Sequence, residues 1–343
     1  MEPTDDMDHT NEQATPSDGS EVDARPIVSV CMITYNHEAF IARALDGVLQ
    51  QDVAFPIEVI VADDCSSDGT LGIVEKYQRR HPNVLRVLAG DRNIGAPANM
   101  ARCLRAARGE FVAICEGDDF WTNSRKLETQ VGVLRAHPET VLTFHDVDEV
   151  DAAGNTIGQS KIRRIRGRRS KEVLTPRDMI CRPMIPTLSM VFRNKSDLLG
   201  PGWSGIVNGD IYLIARLSKY GNARYIDEVM GSYRHHAGGI WSSANEVRRY
   251  LAKIDSSMAI ARDVDARLAI YASWTLNKKV GEAIKGVPLS TNRRAYARKM
   301  IEGYVTALKC SFRSGANVKS VLGVGVVAIA PFAKAVWDSV RKK

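Results

Sequence analysis

Three short segments of this chain carry side chains that could do chemistry. Thr34-Tyr35-Asn36-His37, Asp63-Asp64-Cys65-Ser66-Ser67-Asp68-Gly69 and Glu116-Gly117-Asp118-Asp119-Phe120-Trp121 each follow an apolar run directly. Adjacent carboxylates leaving a buried strand repel one another unless a cation sits between them. A divalent cation such as Mg²⁺ or Mn²⁺ takes oxygen ligands, often one or two carboxylates plus phosphate oxygens. Held there, it can neutralise a departing diphosphate. An Asp beside it can accept hydrogen bonds from a base N–H or a ribose hydroxyl, and a Tyr ring offers a stacking face. Either acidic cluster alone could be a helix cap or a turn. Two of them, on successive strands of one sheet, point to a site.

The elements that must position these groups alternate. Ile27–Thr34 is a β-branched run, and Glu38–Gln51 has apolar residues at helical spacing. Glu58–Ala62 is a short apolar strand. The stretch Thr70–Arg80 reads as a helix that Ser67 or Asp68 could cap, with Pro82 just beyond it. Val84–Leu88, a helix Pro97–Ala107 closed by Gly109, Phe111–Cys115, a helix Arg125–Ala136 and Thr140–Phe144 continue the pattern. Such alternation implies βαβ units in a three-layer α/β fold with a parallel sheet. Ligands of such sheets sit outside the carboxyl ends of the strands. The three reactive segments all fall at that edge.

VSVCMITYNHEAFIARALDGVLQQ, EVIVADDCSSDGT and NIGAPANMARCLRAARGEFVAICEGDDFW, in this order and spacing, closely resemble the nucleotide-binding half of family 2 glycosyltransferases. The resemblance implies a GT-A (Rossmann-like) fold, a nucleoside-diphosphate sugar donor, inversion at the transferred carbon and a divalent cation, Mn²⁺ or Mg²⁺. Carried onto this chain, it places the nucleotide against Thr34, Tyr35, Asn36, Asp64, Asn99 and Asp118, with Arg102 on the same helix as Asn99. It places the metal on Asp118, Asp119 and His236. Glu116 departs from the commoner Asp at the head of its motif. Family members also carry a base Asp at the start of a later helix, and Asn208-Gly209-Asp210-Ile211 fits, with Asp210 as the base. Taken alone, Asp210 could be only a first-turn acid interacting with the helix dipole. Tyr233-Arg234-His235-His236 resembles the segment that follows the base, where an Arg and two His could grip diphosphate. Thr187-Leu188-Ser189 resembles the strand lining the acceptor side.

Composition sets the frame. The 343 residues are 44% hydrophobic and 25% charged, ordinary for a globular protein. Residues 1–25 hold eight acids and one base with few large apolar groups, and are expected to be disordered. The remainder carries 46 basic against 32 acidic residues, which favours anionic partners. A GT-A domain is expected over 26–245, with its nucleotide half at about 27–150. A helical C-terminal appendage follows over 246–343. Lys161–Lys171 packs seven bases into eleven residues and reads as a mobile loop. The six cysteines have no zinc spacing, which suits a cytoplasmic compartment. The N-terminus does not read as a signal peptide, and no segment reaches the length of a membrane span.

The uncharged stretch Val321–Ala333, flanked by bases within 319–343, would either pack as core or lie on an anionic membrane surface. The expectation is therefore sugar transfer to a glycan or lipid-linked acceptor in cell-surface polysaccharide synthesis, with peripheral binding to the inner face of the membrane. A sugar-phosphate nucleotidyltransferase would need a Gly-rich basic loop after the first strand, which is absent. A nucleic-acid binder would need aromatics interleaved with the basic block, also absent, so nucleic acid is an unlikely partner.

Overall fold

A computed structural model describes residues 25–166, 171–181, 184–204, 206–239, 246–286 and 293–313. Residues 1–24, the remainder of the basic block at 167–170, Trp241 and the tail 319–343 lie outside the described residues.

The chain begins as a run of βα units. β1 (Val28–Thr34) is followed by α1 (Ile41–Leu49), β2 (Ile57–Asp63), α2 (Thr70–Arg80), β3 (Leu85–Leu88), α3 (Ala96–Ala106) and β4 (Phe111–Ile114). The β-branched residues of β1 and β2 are buried on both faces, as a central parallel strand requires. β5 (Phe120–Trp121), α4 (Lys126–Ala136), β6 (Thr140–Val150), β7 (Thr156–Gly158), α5 (Lys161–Arg166), β8 (Val173–Leu174) and α6 (Pro176–Cys181) come next. Then follow a 3-10 turn Thr187–Ser189, β9 (Val191–Arg193), α7 (Gly209–Leu217) and β10 (Asn222–Arg234). Three helices close the described chain: α8 (Glu246–Asp263), α9 (Ala269–Gly286) and α10 (Arg293–Arg313).

One sheet runs in the order β3-β2-β1-β4-β9-β6-β10-β5, with β7 on β6 and β8 on β10. The four strands β3-β2-β1-β4 are entirely parallel. β9 is antiparallel to both its neighbours, and β6 and β10 are again parallel. Helices cover both faces and make two apolar cores. One holds α1, α2 and α4 against the sheet. The other holds α3 and α7, with α8 to α10 packed behind them. No described helix is long and apolar enough to cross a membrane.

Two expectations change. The first helix starts at Ile41, not Glu38, because the His37 carbonyl closes its first turn by accepting from Phe40 N and Ile41 N. The basic block is not all mobile loop, since Lys161–Arg166 is helical. The buried Asp146 carboxylate accepts from Ile162 N (2.7 Å) and Arg163 N (3.0 Å) at that helix's N-terminus. Its bases meet acids from other strands: Lys161 with Glu149 (3.2 Å), Arg164 with Glu149, and Arg163 with Asp227 (2.7 Å). Like-charge repulsion within the block is thus offset by partners distant in sequence.

Lys126 is buried completely, with its ammonium 3.9 Å from the Trp121 ring centroid and no hydrogen-bond acceptor among the described residues. Burial drives it down to about 7. The unfolded chain binds this proton up to the ordinary lysine range, so between those limits stability rises with pH. Lys126→Met should stabilise the fold by ~2 kcal/mol at pH 6 to 7. The gain should shrink toward pH 10, as read from denaturant unfolding at several pH values.

Candidate active site

The carboxyl ends of β1, β2 and β4 are held in register by the backbone. Thr34 pairs with Asp63, Asp64 N donates to Thr34 O (2.9 Å), and Gly117 N donates to Ile33 O (2.9 Å). Each strand therefore delivers its polar tail to the same edge. The edge opens into a cavity of about 560 Å³. Thr34, Tyr35, Asp64, Asn99, Glu116, Asp118, Asp119 and Asp210 all line it.

The expected nucleotide residues fall into two groups. Tyr35 is 42% exposed in the cavity wall, a free aromatic face. Asp64 is buried, and its two oxygens accept from Ile94 N (2.8 Å) and Gly95 N (2.8 Å), which fixes the turn ahead of α3. Asn99 donates to Ala62 O (2.7 Å) and accepts from Arg102 (3.1 Å), so this pair ties α3 to the end of β2. Asn36 is turned away from the cavity. It has a left-handed backbone (φ 55°) and accepts from Ser67 N (2.8 Å), bracing one loop against the next.

The acidic motif after β4 splits in a way its sequence does not announce. Asp119 points inward and accepts from Arg234 N (2.8 Å). Burial, then Asp118 and Glu116, raise its carboxyl well above the usual range. Asp118 instead meets two imidazoles: His236 Nε2 at 3.0 Å and His37 Nε2 at 3.8 Å. Burial pushes Asp118 up, but the His236 hydrogen bond and the charge of His37 prevail and hold it below the ordinary range. His37, Asp118 and His236 offer ligand atoms all within 4.8 Å of one another. The structure thus groups Asp118 and His236 with His37, and sets Asp119 against the main chain. Burial lowers His37, against the pull of Asp118, which favours the neutral ring that a metal requires.

Glu116 faces the centre. Its Oε2 is buried without a partner among the described residues, as are Thr34 Oγ1 and His37 Nδ1. Buried polar atoms left unmatched by protein are costly unless a ligand, water or ion meets them. Together with a carboxylate between two imidazoles, they form a set that fits a divalent cation and a polar ligand. Burial, then Asp118 and Asp210, push Glu116 up to about 8.

Asp210 reaches the cavity from the first turn of α7. Burial raises its carboxyl above the usual range, against backbone N–H groups of its own turn. Helix α7 is pinned from behind: the Tyr212 hydroxyl donates to Asp263 of α8, and Arg216 donates to Asp263 O (2.9 Å). Thr187 lines the cavity from a 3-10 turn rather than the expected strand. Arg234 lines the cavity, but protein groups already engage its guanidinium. Its Nε donates to Asp118 O (2.8 Å) and its guanidinium lies over Phe40 (4.8 Å) and Phe120 (5.2 Å). His235 is engaged by Glu149 at 3.0 Å.

Lys161 and His37 are the residues the motif reading left without a role. Lys161 lines the cavity at 4.2 Å from the Tyr233 ring. His37 follows the Thr-Tyr-Asn run by one position, which was the only signal it gave.

Residues 29–193 match the family model described as Glycosyl transferase family 2. This segment is a glycosyl transferase family 2 domain. An uncharacterized protein of Mycobacterium tuberculosis is 39% identical over 226 residues, covering 65% of this chain and 62% of that relative. The match thus spans less than two thirds of that relative's length. Poly(ribitol-phosphate) beta-N-acetylglucosaminyltransferase TarS of Staphylococcus aureus is 38% identical over 118 residues, 33% of this chain and 20% of the relative. The crystal structure of S. aureus TarS residues 1–349 with UDP-GlcNAc has 22% identity and a TM-score of 0.56, covering 85% of this chain and 93% of that one. Mannosyltransferase PcManGT from Pyrobaculum calidifontis, in complex with GDP-Man and Mn²⁺, has 21% identity and a TM-score of 0.54, covering 92% and 88%. These likenesses show the GT-A fold.

The unfolded chain ionises Glu116 in the ordinary range, while the fold keeps it protonated until about 8. Between those limits stability falls as pH rises. Glu116→Gln should therefore raise the thermal midpoint at pH 8 by the equivalent of ~1 kcal/mol or more. Near pH 4.5 it should leave the midpoint almost unchanged, the opposite pH dependence to Lys126→Met.

Proposed function

We propose that this chain is an inverting glycosyltransferase. It would move a sugar from a nucleoside-diphosphate sugar to a hydroxyl of a glycan or lipid-linked acceptor, in cell-surface polysaccharide synthesis. The observation that carries the reading is the meeting of Asp64, Glu116, Asp118 and Asp210, from two strand ends and one helix, in one cavity. The descriptions of the similar proteins support it: the TarS crystal structure is in complex with UDP-GlcNAc, and PcManGT is in complex with GDP-Man and Mn²⁺.

In this reading Tyr35 stacks on the nucleobase and the Asp64 turn borders it. Asp118 and His236 hold the divalent cation, Mn²⁺ or Mg²⁺, with Asp119 beside them as the backbone anchor of the motif. When bound, that cation supplies charge to offset the diphosphate. The acceptor hydroxyl enters from the Thr187 side, and Asp210 takes its proton. The acceptor oxygen bonds to the anomeric carbon as the bond from that carbon to the diphosphate oxygen breaks, and the configuration inverts. No covalent intermediate is needed, so one base suffices. The raised carboxyl of Asp210 makes it a stronger base than an exposed Asp, at the expense of activity in acid.

A donor screen with Mn²⁺, reading nucleoside diphosphate release and product, tests the assignment. Asp210→Asn should lower kcat ~10²–10⁴-fold while donor binding stays near wild type. Wild-type kcat should fall in acid with a midpoint above the ordinary Asp range. Full activity in Asp210→Asn would remove the base from Asp210.

A further inference from the structure

We infer that His37 is a third protein ligand of the cation, making the site a two-imidazole, one-carboxylate centre that prefers a transition metal to Mg²⁺ and binds it before any nucleotide. This rests on the proposed cation site and adds to it a ligand and a selectivity.

The geometry is specific to this cluster. Imidazole and carboxylate ligands lie ~2.0–2.2 Å from a bound first-row metal, so neighbouring ligands stand ~3–3.5 Å apart. His236 Nε2 and Asp118 Oδ2 are already 3.0 Å apart. His37 Nε2 stands 3.8 Å from the same oxygen, within a small side-chain rotation of that spacing. The two imidazoles meet edge to face with centroids 6.0 Å apart, and Phe40 packs on His236 at 4.8 Å. An apolar ring thus fixes the outer side of the pair.

The backbone of His37 is also held on both sides. Its N–H donates to Thr70 Oγ1 (2.8 Å), and its carbonyl receives Phe40 N (2.8 Å) and Ile41 N (2.9 Å) at the start of α1. The preceding Asn36 adopts the left-handed backbone that turns the chain toward Asp118. Little ordering remains to be done when the cation arrives, which favours binding by the protein alone.

Ligand chemistry sets the preference. Mg²⁺ favours oxygen, keeps several waters and tolerates little departure from an octahedron. Imidazole nitrogen suits first-row transition metals, whose affinity for N/O sites rises from Mn²⁺ through Co²⁺ and Ni²⁺. Two nitrogens among three ligands therefore select against Mg²⁺. A site built from Asp118 and Asp119 oxygens would not.

The test uses the full chain and the metal ions alone, without nucleotide. Mn²⁺ binding is read from loss of the free-ion electron paramagnetic resonance signal. Wild type should bind Mn²⁺, and His37→Gln should weaken it ~10-fold or more. Equimolar Mg²⁺ should leave the wild-type Mn²⁺ bound. His37→Asp, which swaps nitrogen for oxygen, should bring Mg²⁺ closer to parity. An unchanged titration in His37→Gln, or half the Mn²⁺ displaced by equimolar Mg²⁺ in wild type, overturns the inference. If His37→Gln does not fold, the wild-type competition decides alone. Transfer is not part of the readout, so loss of the functional proposal and loss of this ligand assignment are separate results.

Discussion

The constraint that organises this molecule is the crowding of carboxylates at one sheet edge. Glu116, Asp118, Asp119, Asp64 and Asp210 share one cavity. Such charges cannot all remain ionised and unmatched in a low dielectric. The fold resolves the conflict differently at each group. Asp64 is matched by two backbone N–H groups and Asp119 by one. Asp118 is matched by imidazole, while Glu116 and Asp210 are pushed toward their neutral forms. The remaining mismatch is what a cation and an incoming polar ligand would relieve.

Other parts of the structure hold that arrangement in place. The parallel register of β1 with β2 and β4 sets the three strand ends level. Arg234 reaches from β10 across to Asp118 O and Asp119, so the far half of the sheet clamps the acidic turn. Helices α8 to α10 act through α7, where Asp263 holds Tyr212 and Arg216 on the helix that carries Asp210. The C-terminal helices thus bear on the site without lining it.

Much of this was legible in the sequence, and the parts that were not share a cause. β1, β2 and β4 show as apolar runs because they are buried on both faces, and the acids after them mark their carboxyl ends. The helix at Lys161–Arg166 did not show. Its N-terminal partner, Asp146, and its compensating acids, Glu149 and Asp227, lie on β6 and at the β10 bend. The division of labour between Asp118 and Asp119 was equally hidden. Two adjacent identical residues differ only in which way the turn points them, and Arg234 and His236 decide that from more than a hundred positions away. His37 sat inside a recognised motif, but only the turn at Asn36 shows that its ring faces Asp118.

The central claim is that the carboxylate edge is a nucleotide site completed by a cation. Calorimetric titration of a nucleoside diphosphate into the full chain, with and without Mn²⁺, tests it most directly. The account predicts binding with Mn²⁺ that weakens ~10-fold or more, about 1.4 kcal/mol, when the cation is withheld or when Asp118 is changed to Asn. Equal affinity under all three conditions would contradict it.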